Sequence, residues 1–335
     1  MVLVCGDPYE PVTAFLCSRL KMLKIDHRLL DLREFPRGID LDWTWVGGRP
    51  CGSISTSDWR IEFDELSGAY FRNVELNESG DEGVKGQSNT HAYAETDARI
   101  AAMLNSLSCN VLNRPAATYS NRSKLYQALW IRRFGFKVPK TLVTNDPEAV
   151  ARFFSECDGK LIFKSISGIR STVRRMTKED FGRLELLQHC PAQFQEYLAG
   201  DNIRVHVIGE RLFAVRIQCE AVDYRYAGEE GYARTMIPAT LPEAVETNCV
   251  RLTRELGLAM SGIDLKETPA GEYYCFEVNT SPAFPFYESP VRPVVANALA
   301  NFLAARDAPG LALGSPVEGA RIQELGGSGK WLCRA

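Results

Sequence analysis

The chain opens on an apolar run, residues 1–5, which turns at Gly6-Asp7-Pro8 into a stretch with Val12, Phe15, Leu16, Leu20 and Leu23 at three- and four-residue steps. A short apolar run followed by a period near 3.6 predicts a buried strand leading into an amphipathic helix. Residues 27–32 and 68–74 repeat the strand pattern and residues 94–107 the helical one. Strands alternating with helices over residues 1–112 are expected to form a small α/β domain on a parallel sheet. Within it, residues 80–90 (GDEGVKGQSNT) carry three Gly and almost no apolar side chains, and read as an exposed loop.

Beyond Arg114-Pro115 the pattern changes. Residues 123–134 predict a helix, with Ser120 or Asn121 available as its cap and Gly135 as its stop. Residues 160–174 predict two strands about a turn, with Ile162, Lys164 and Ile166 on one face and Leu161 and Phe163 on the other, so a lysine interrupts a buried pattern. Residues 203–218 alternate on both sides of Gly209-Glu210 and predict a hairpin, with Arg204 and Arg216 expected on its polar face. Residues 245–256 return to helical periodicity, and the Gly- and Pro-containing end of the chain reads as a tail.

The most informative segment is residues 262–288, GIDLKETPAGEYYCFEVNTSPAFPFYE. Two apolar-rich strands flank Pro269-Ala270-Gly271. With Ala270-Gly271 as a two-residue loop, Thr268 pairs with Tyr273 and Asp264 lies opposite Glu277. Asn279, two residues on, points the same way as Glu277. Phe276 and Val278 are then expected to face the core. Two carboxylates and an amide oxygen on one sheet face suit Mg²⁺, whereas the same residues on an ordinary exposed hairpin would be merely solvated.

Composition adds exclusions. The 335 residues are 45% hydrophobic, enough for two or three packed lobes. With 39 Lys plus Arg against 42 Asp plus Glu, the net charge of −3 offers no global attraction to nucleic acid or an anionic membrane. The N-terminus lacks the pattern of a secretory signal and no apolar run is long enough to span a bilayer, so a cytoplasmic protein is expected. Ten cysteines occur without a C-x-x-C pair and read as small buried apolar residues. His206 reads as structural. Residues 326–330, GGSGK, fail as a phosphate loop because Trp331 stands where Ser or Thr is required.

Residues 261–265 (SGIDL) and 276–282 (FEVNTSP) resemble the metal-binding hairpin of ATP-grasp ligases, most closely the RimK-like and glutathione-synthetase-like group. The resemblance extends upstream in the same order through residues 111–141, 161–171 (LIFKSISGIRS) and 193–218 (QFQEYLAGDNIRVHVIGERLFAVRIQ), covering about residues 110–305. Residues 142–150 (LVTNDPEAV), 194–197 (FQEY), 222–225 (VDYR) and 70–72 (YFR) look most like the microviridin-type, or graspetide, ligases that modify ribosomal peptides.

The resemblance implies an ATP-grasp fold of α+β lobes behind an N-terminal parallel-sheet domain. Its expected boundaries are 1–112 for that domain, 113–199 for a central lid, 200–308 for the lobe with the metal hairpin and 309–335 for the tail. It makes Lys124 and Lys164 the ATP-binding lysines, Glu196, Tyr197 and Leu198 the hinge that meets adenine, and Asp201 or Asn202 the ribose contact. Asp264, Glu277 and Asn279 become ligands of Mg²⁺, with Mn²⁺ as an alternative ion. Arg225, a planar guanidinium suited to phosphoryl oxygens, is the leading candidate to stabilise the transferred phosphate, with Arg204 and Arg216 behind it. Phe284, Phe286 and Tyr287 are expected near the acceptor, at least one of them as core.

Three positions depart from the RimK pattern: Asn202 stands for Asp before Ile-Arg, Gln218 stands for Arg, and Gly168 is the only glycine of the phosphate-covering turn. The implied reaction joins a carboxylate, through an acyl phosphate, to an amine or hydroxyl, with ADP and phosphate released. A ribosomal precursor peptide is the first expected substrate and a free amino acid or small acid the second. A phosphotransferase and a non-catalytic nucleotide-binding protein are the alternative readings on the same fold. A homo-oligomer, dimer or tetramer, is expected, with neither nucleic acid nor membrane as partner.

Overall fold

The computed structural model of the protein describes residues 1–34, 38–72, 87–166, 172–288 and 293–306. The apolar opening run is strand β1 (Val2–Gly6), buried throughout. Helix α1 (Pro11–Met22) starts where the Glu10 carboxylate accepts from the Thr13 amide at 2.8 Å and Pro11 takes the first turn, where no amide donor is needed. Strand β2 (His27–Asp31) follows as expected. Three strands that the pattern did not announce, β3 (Asp40–Val46), β4 (Arg49–Ser55) and β5 (Arg60–Glu62), form a separate antiparallel sheet. Strand β6 (Gly68–Phe71), helix α2 (Gln87–Ser106) and strand β7 (Asn110–Leu112) complete the first domain.

Its main sheet runs β2-β1-β6-β7 and is parallel throughout. The order reverses between β1 and β6, so a crevice opens beyond their C-terminal ends. Arg72 follows β6 there. Residues 87–90, expected as loop, belong to α2, because a polar first turn without Gly or Pro is as compatible with a helix as with a loop. The glycines of residues 80–86 lie outside the described residues.

Helix α3 (Lys124–Arg133) is capped by Ser123, whose hydroxyl accepts from the Tyr126 amide at 3.3 Å, and neither expected residue serves. A 3₁₀ turn over Pro115–Arg122 delays the helix until Ser123 takes an extended conformation. Gly135, at φ +86°, ends it as expected. Strand β8 (Thr141–Thr144), helix α4 (Pro147–Glu156) and strands β9 (Leu161–Lys164), β10 (Arg174–Arg175) and β11 (Ala192–Glu196) follow, and the four strands make an antiparallel sheet ordered β10-β9-β11-β8. Leu161 and Phe163 pack on the Val150 and Phe153 side of α4, leaving Ile162 and Lys164 on the other face.

The third sheet carries strands β12 (Asp201–Ile208), β13 (Arg211–Cys219) and β14 (Arg234–Ala239), then helix α5 (Glu243–Glu255) and strands β15 (Met260–Glu267) and β16 (Tyr273–Asn279), in the order β14-β13-β12-β15-β16. Ile203, Val205, Val207, Ile263 and Leu265 form its inner face against Cys249 and Leu252 of α5 and Ile131 of α3. Thus α3, though it precedes the second sheet in sequence, packs with the third. Helix α6 (Val294–Ala304) returns to the first domain, where Val295, Leu299 and Leu303 bury with Val2, Leu16 and Tyr70.

Two registers differ from expectation. Across the Gly209-Glu210 turn, Arg204 pairs with Val215 and Arg216 with Ile203, so the two arginines face opposite sides of the sheet. A two-residue turn sets odd-numbered positions opposite even ones, and shared parity therefore means opposite faces. In the second case Glu267, not Thr268, pairs with Tyr273, and a bulge between Asp264 and Leu265 restores Asp264 opposite Glu277. Pro269-Ala270-Gly271 is a three-residue connection, with the Gly271 amide bonded to the Thr268 carbonyl at 2.9 Å and Gly271 at φ +75°. The bulge also turns Phe276 away from the core, which takes Cys275 and Val278 instead.

Candidate functional site

Between the second and third sheets lies a cavity of about 600 Å³. Lys164 enters it from the end of β9, Lys124 from the first turn of α3, and Asn202 and Arg204 from β12. Asp264 and Lys266 enter from β15, Glu277 and Asn279 from β16, and Arg225 from the loop after β13. Alternation along paired strands explains the gathering. Arg204 sits opposite Asp264, which sits opposite Glu277, so one row of three strands presents a guanidinium and two carboxylates side by side.

Asp264 is held from two sides. Arg204 Nη1 donates to its Oδ1 at 2.7 Å, and Asn279 Nδ2 donates to its Oδ2 at 3.2 Å. Arg204 is buried and its Cζ stands 5.1 Å from the centre of the Tyr287 ring. Burial alone would depress its pKa, but the Asp264 charge and hydrogen bond, together with the Tyr287 and Tyr224 hydroxyls, raise it. Its Nε has no hydrogen-bond partner among the described residues, a spare buried donor. Gly262 makes room for this arginine, since a Cβ there would lie 2.3 Å from Arg204 Nη2.

Lys124 Nζ stands 3.7 Å from Glu277 Oε2. Lys164 has its pKa lowered, first by burial and then by the Lys124 charge, with Glu277 and Asp264 opposing both. Desolvated and beside another cation, this ammonium gains more from a bound polyanion than an exposed lysine would. Arg225 is forked onto Asp223, Nε to Oδ1 at 2.8 Å and Nη2 to Oδ2 at 2.6 Å. Burial pushes the Asp223 carboxyl up, yet the Arg225 bonds hold it below the usual range, so the pair is charged and the guanidinium plane fixed.

Not every expected residue reaches the cavity. Asp201 and Glu267 both accept from Arg216 on the opposite face of the sheet, so Asn202 rather than Asp201 meets the cavity and Arg216 does not. Glu196, Tyr197 and Leu198 lie outside the lining, at the exit of β11. There the Glu196 carboxylate accepts from the Lys140 amide at 2.8 Å and the Tyr197 amide donates to the Lys160 carbonyl at 2.8 Å. Gln218 is exposed, and Gly168 lies outside the described residues. Phe284 is core, whereas Phe286 and Tyr287 line the cavity, the Tyr287 hydroxyl 2.9 Å from that of Tyr224. His206 is fully buried, its ring 5.4 Å from that of Tyr287. Burial and the Arg204 charge push its pKa well down, which keeps it neutral.

Several lining residues were not singled out. Lys266 follows Asp264 by two positions, a spacing that could have pointed to it. Arg72 donates to the Ser281 carbonyl at 2.6 Å and to Glu10 Oε1 at 3.0 Å, bringing the first domain's crevice to the loop after β16. Asp223 and Tyr224 became legible only with the loop in place.

The donor set fits a hard cation. Asp264 and Glu277 supply carboxylate oxygens, and Asn279, with its amide nitrogen on Asp264, keeps its oxygen as a third. Among the described residues no group of three or more His, Cys, Asp or Glu could hold a metal. Such an incomplete shell suits Mg²⁺ that takes its other oxygens from phosphate and water.

Residues 119–283 match the ATP-grasp domain family. The macrocyclase MdnC of Microcystis aeruginosa, solved with its precursor peptide MdnA, is 25% identical, with a TM-score of 0.75 over 90% of this chain and 99% of that one. The ATP-grasp ligase PsnB, solved with a phosphomimetic variant of its minimal precursor, Mg and ADP, is 26% identical, with a TM-score of 0.74 over 91% and 98%. Human beta-citrylglutamate synthase B is 22% identical over 221 residues, which make up 63% of this chain and 57% of that protein, so the chain spans little more than half of this relative. Among the described residues no helix is long and apolar enough to cross a membrane. This chain therefore carries an ATP-grasp domain at its centre, over residues 119–283, and shares its fold, on both sides of that domain, with the ATP-grasp ligases MdnC and PsnB.

Proposed function

We propose that the protein is an ATP- and Mg²⁺-dependent, ADP-forming ligase that joins a peptide carboxylate to an amine or hydroxyl. One observation carries the reading: lysines from α3 and β9 face the carboxylates of β15 and β16 across a single cavity, on a fold that PsnB shares in its complex with precursor, Mg and ADP. Lys124 and Lys164 hold the triphosphate as point charges. Asp264, Glu277 and Asn279 would hold Mg²⁺, which when bound neutralises phosphate charge.

The substrate carboxylate oxygen attacks the γ-phosphorus. The bond to the β–γ bridging oxygen breaks, ADP leaves with that electron pair, and an acyl phosphate remains. The amine or hydroxyl then attacks the acyl carbon, loses its proton and expels phosphate. Arg225, its guanidinium fixed by Asp223, is the candidate to receive negative charge on the transferred group, with Arg204 behind it. Closure of the second sheet over the third would exclude water that hydrolyses the intermediate.

Similarity to enzymes solved with precursors favours a peptide over a small acid, although the likeness to beta-citrylglutamate synthase B keeps the second in view. The unpaired cysteines among the described residues fit a reducing, cytoplasmic compartment. Hydroxylamine trapping tests the reaction. An acyl phosphate yields a hydroxamate together with ADP, and Glu277→Gln abolishes both in a folded protein. A stable phosphoester in place of the hydroxamate would establish a phosphotransferase instead, and turnover in Glu277→Gln at the wild-type rate would remove Glu277 from the site.

A further inference from the structure

β16 is an edge strand, and an open edge leaves backbone donors and acceptors without a partner strand. Here the edge is closed by other means. The Cys275 amide donates to the Lys137 carbonyl at 2.9 Å, and further along a single side chain takes the place of a strand. Gln127, 1% exposed on α3, donates from Nε2 to the Val278 carbonyl at 2.8 Å and accepts at Oε1 from the Val278 amide at 2.8 Å. Val278 lies between Glu277 and Asn279. Three residues before Gln127, on the same helix, is Lys124, whose ammonium faces Glu277 at 3.7 Å. One helix therefore grips the backbone between two metal-binding side chains while presenting a phosphate-binding lysine to one of them.

We propose that Gln127 is a positioning residue that holds β16 at the spacing from α3 which lets Lys124, Glu277 and Asn279 engage one Mg²⁺-nucleotide together; this rests on the metal and nucleotide site proposed above. The physical case is geometric. A side-chain amide that bonds both the N–H and the C=O of one residue fixes the strand along its axis and across it, which a single bond or apolar packing does not. Without the clamp, the backbone ties of β16 on this side among the described residues are those of its bridge to Lys137, around Tyr274 and Cys275, and the Glu277 and Asn279 backbones are freer to shift relative to α3. Hydrogen-bond partners of metal ligands typically change metal affinity by about 10- to 100-fold, and a clamp on the residue between two of them is expected to act at the lower end of that range.

The test is calorimetric titration of the full chain with ADP, in Mg²⁺ and in EDTA. In Gln127→Met, close in volume and without hydrogen bonds, the gain in ADP affinity on adding Mg²⁺ is expected to fall about tenfold while affinity in EDTA is unchanged. In a Lys124→Met background the same substitution is expected to do little further, because the two residues act through one arrangement. A lowered melting temperature with the Mg²⁺-linked gain intact would make Gln127 merely structural and overturn the proposal. Should Gln127→Met not fold, hydrogen exchange of the wild-type Val278 amide decides: protection supports the clamp, and exchange at the rate of an open edge refutes it. A wild-type protein whose ADP affinity ignores Mg²⁺ would instead refute the underlying site.

Discussion

Gly262→Ala tests the packing around Asp264 without touching a charged group. The new Cβ would lie 2.3 Å from Arg204 Nη2, 2.8 Å from its Cζ and 2.5 Å from Pro282 Cβ. Non-bonded heavy atoms rest at about 3.5 Å or more, so the guanidinium must retreat by about 1 Å. Arg204 is 4% exposed, and a retreat of that size into the cavity it lines is expected to break its 2.7 Å bond to Asp264. Overpacking costs about 1–3 kcal/mol, and the weakened pair adds less than the ~3–5 kcal/mol of a fully buried pair that loses one partner, against an ordinary stability of about 5–15 kcal/mol. Urea unfolding followed by circular dichroism should show a clear loss, and substrate-dependent ADP release should fall with it. The double variant Gly262→Ala with Arg204→Met should recover part of the stability but not the turnover, since the clash with the guanidinium is gone while that with Pro282 Cβ remains, and the Asp264 side chain, 31% exposed, can reach water. Wild-type stability and turnover in Gly262→Ala would refute the argument.

Lys164 has a pKa below that of an ordinary lysine, so its charge is lost, as pH rises, earlier than usual. ATP affinity should therefore weaken on the alkaline side in the wild type, while Lys164→Arg, charged throughout, should lack that loss; superimposable KM profiles against pH would contradict it. Asn113 donates to the Met260 and Thr280 carbonyls, both at 2.6 Å, and accepts from the Ala259 and Met260 amides, both at 2.9 Å. Asn113→Ala leaves all four bonds unmade at about 1 kcal/mol each or more, and a melting temperature within experimental error of wild type would show that water replaces them. Arg216→Leu should lower the melting temperature by breaking the ties to Asp201 and Glu267 while leaving ADP release per folded molecule unchanged; abolished turnover in a folded variant would return Arg216 to the site.

Residues that interrupt an apolar strand were legible as members of the site. Lys164 stood out because Leu161, Ile162 and Phe163 precede it, and Asp264 and Glu277 because a hairpin of any plausible register brings them near each other. Lys124 was legible only through the family resemblance, since nothing in KLYQALWIRR separates it from a surface lysine. Which arginine enters the cavity was not legible. Arg204 and Arg216 share parity, and only the register across the turn shows that one meets Asp264 and the other Asp201.

The local pattern by itself determined β1, α1, the hairpin of β12 and β13, and the hairpin of β15 and β16 with Asp264 near Glu277, because periodicity and turn chemistry act over a few residues; their direct pairing came with the bulge. Tertiary structure alone decided that α3 leaves its sequence neighbours to pack on the third sheet, that α6 completes the first domain's core, and that Arg72 reaches Ser281 more than two hundred residues away. It also placed Gln127 on the edge of the hairpin of β15 and β16 and set the bulge that turns Phe276 into the cavity. The reason is physical: a strand's pattern states which residues share a face, while the partner that covers that face or edge is chosen by packing between segments far apart in the chain.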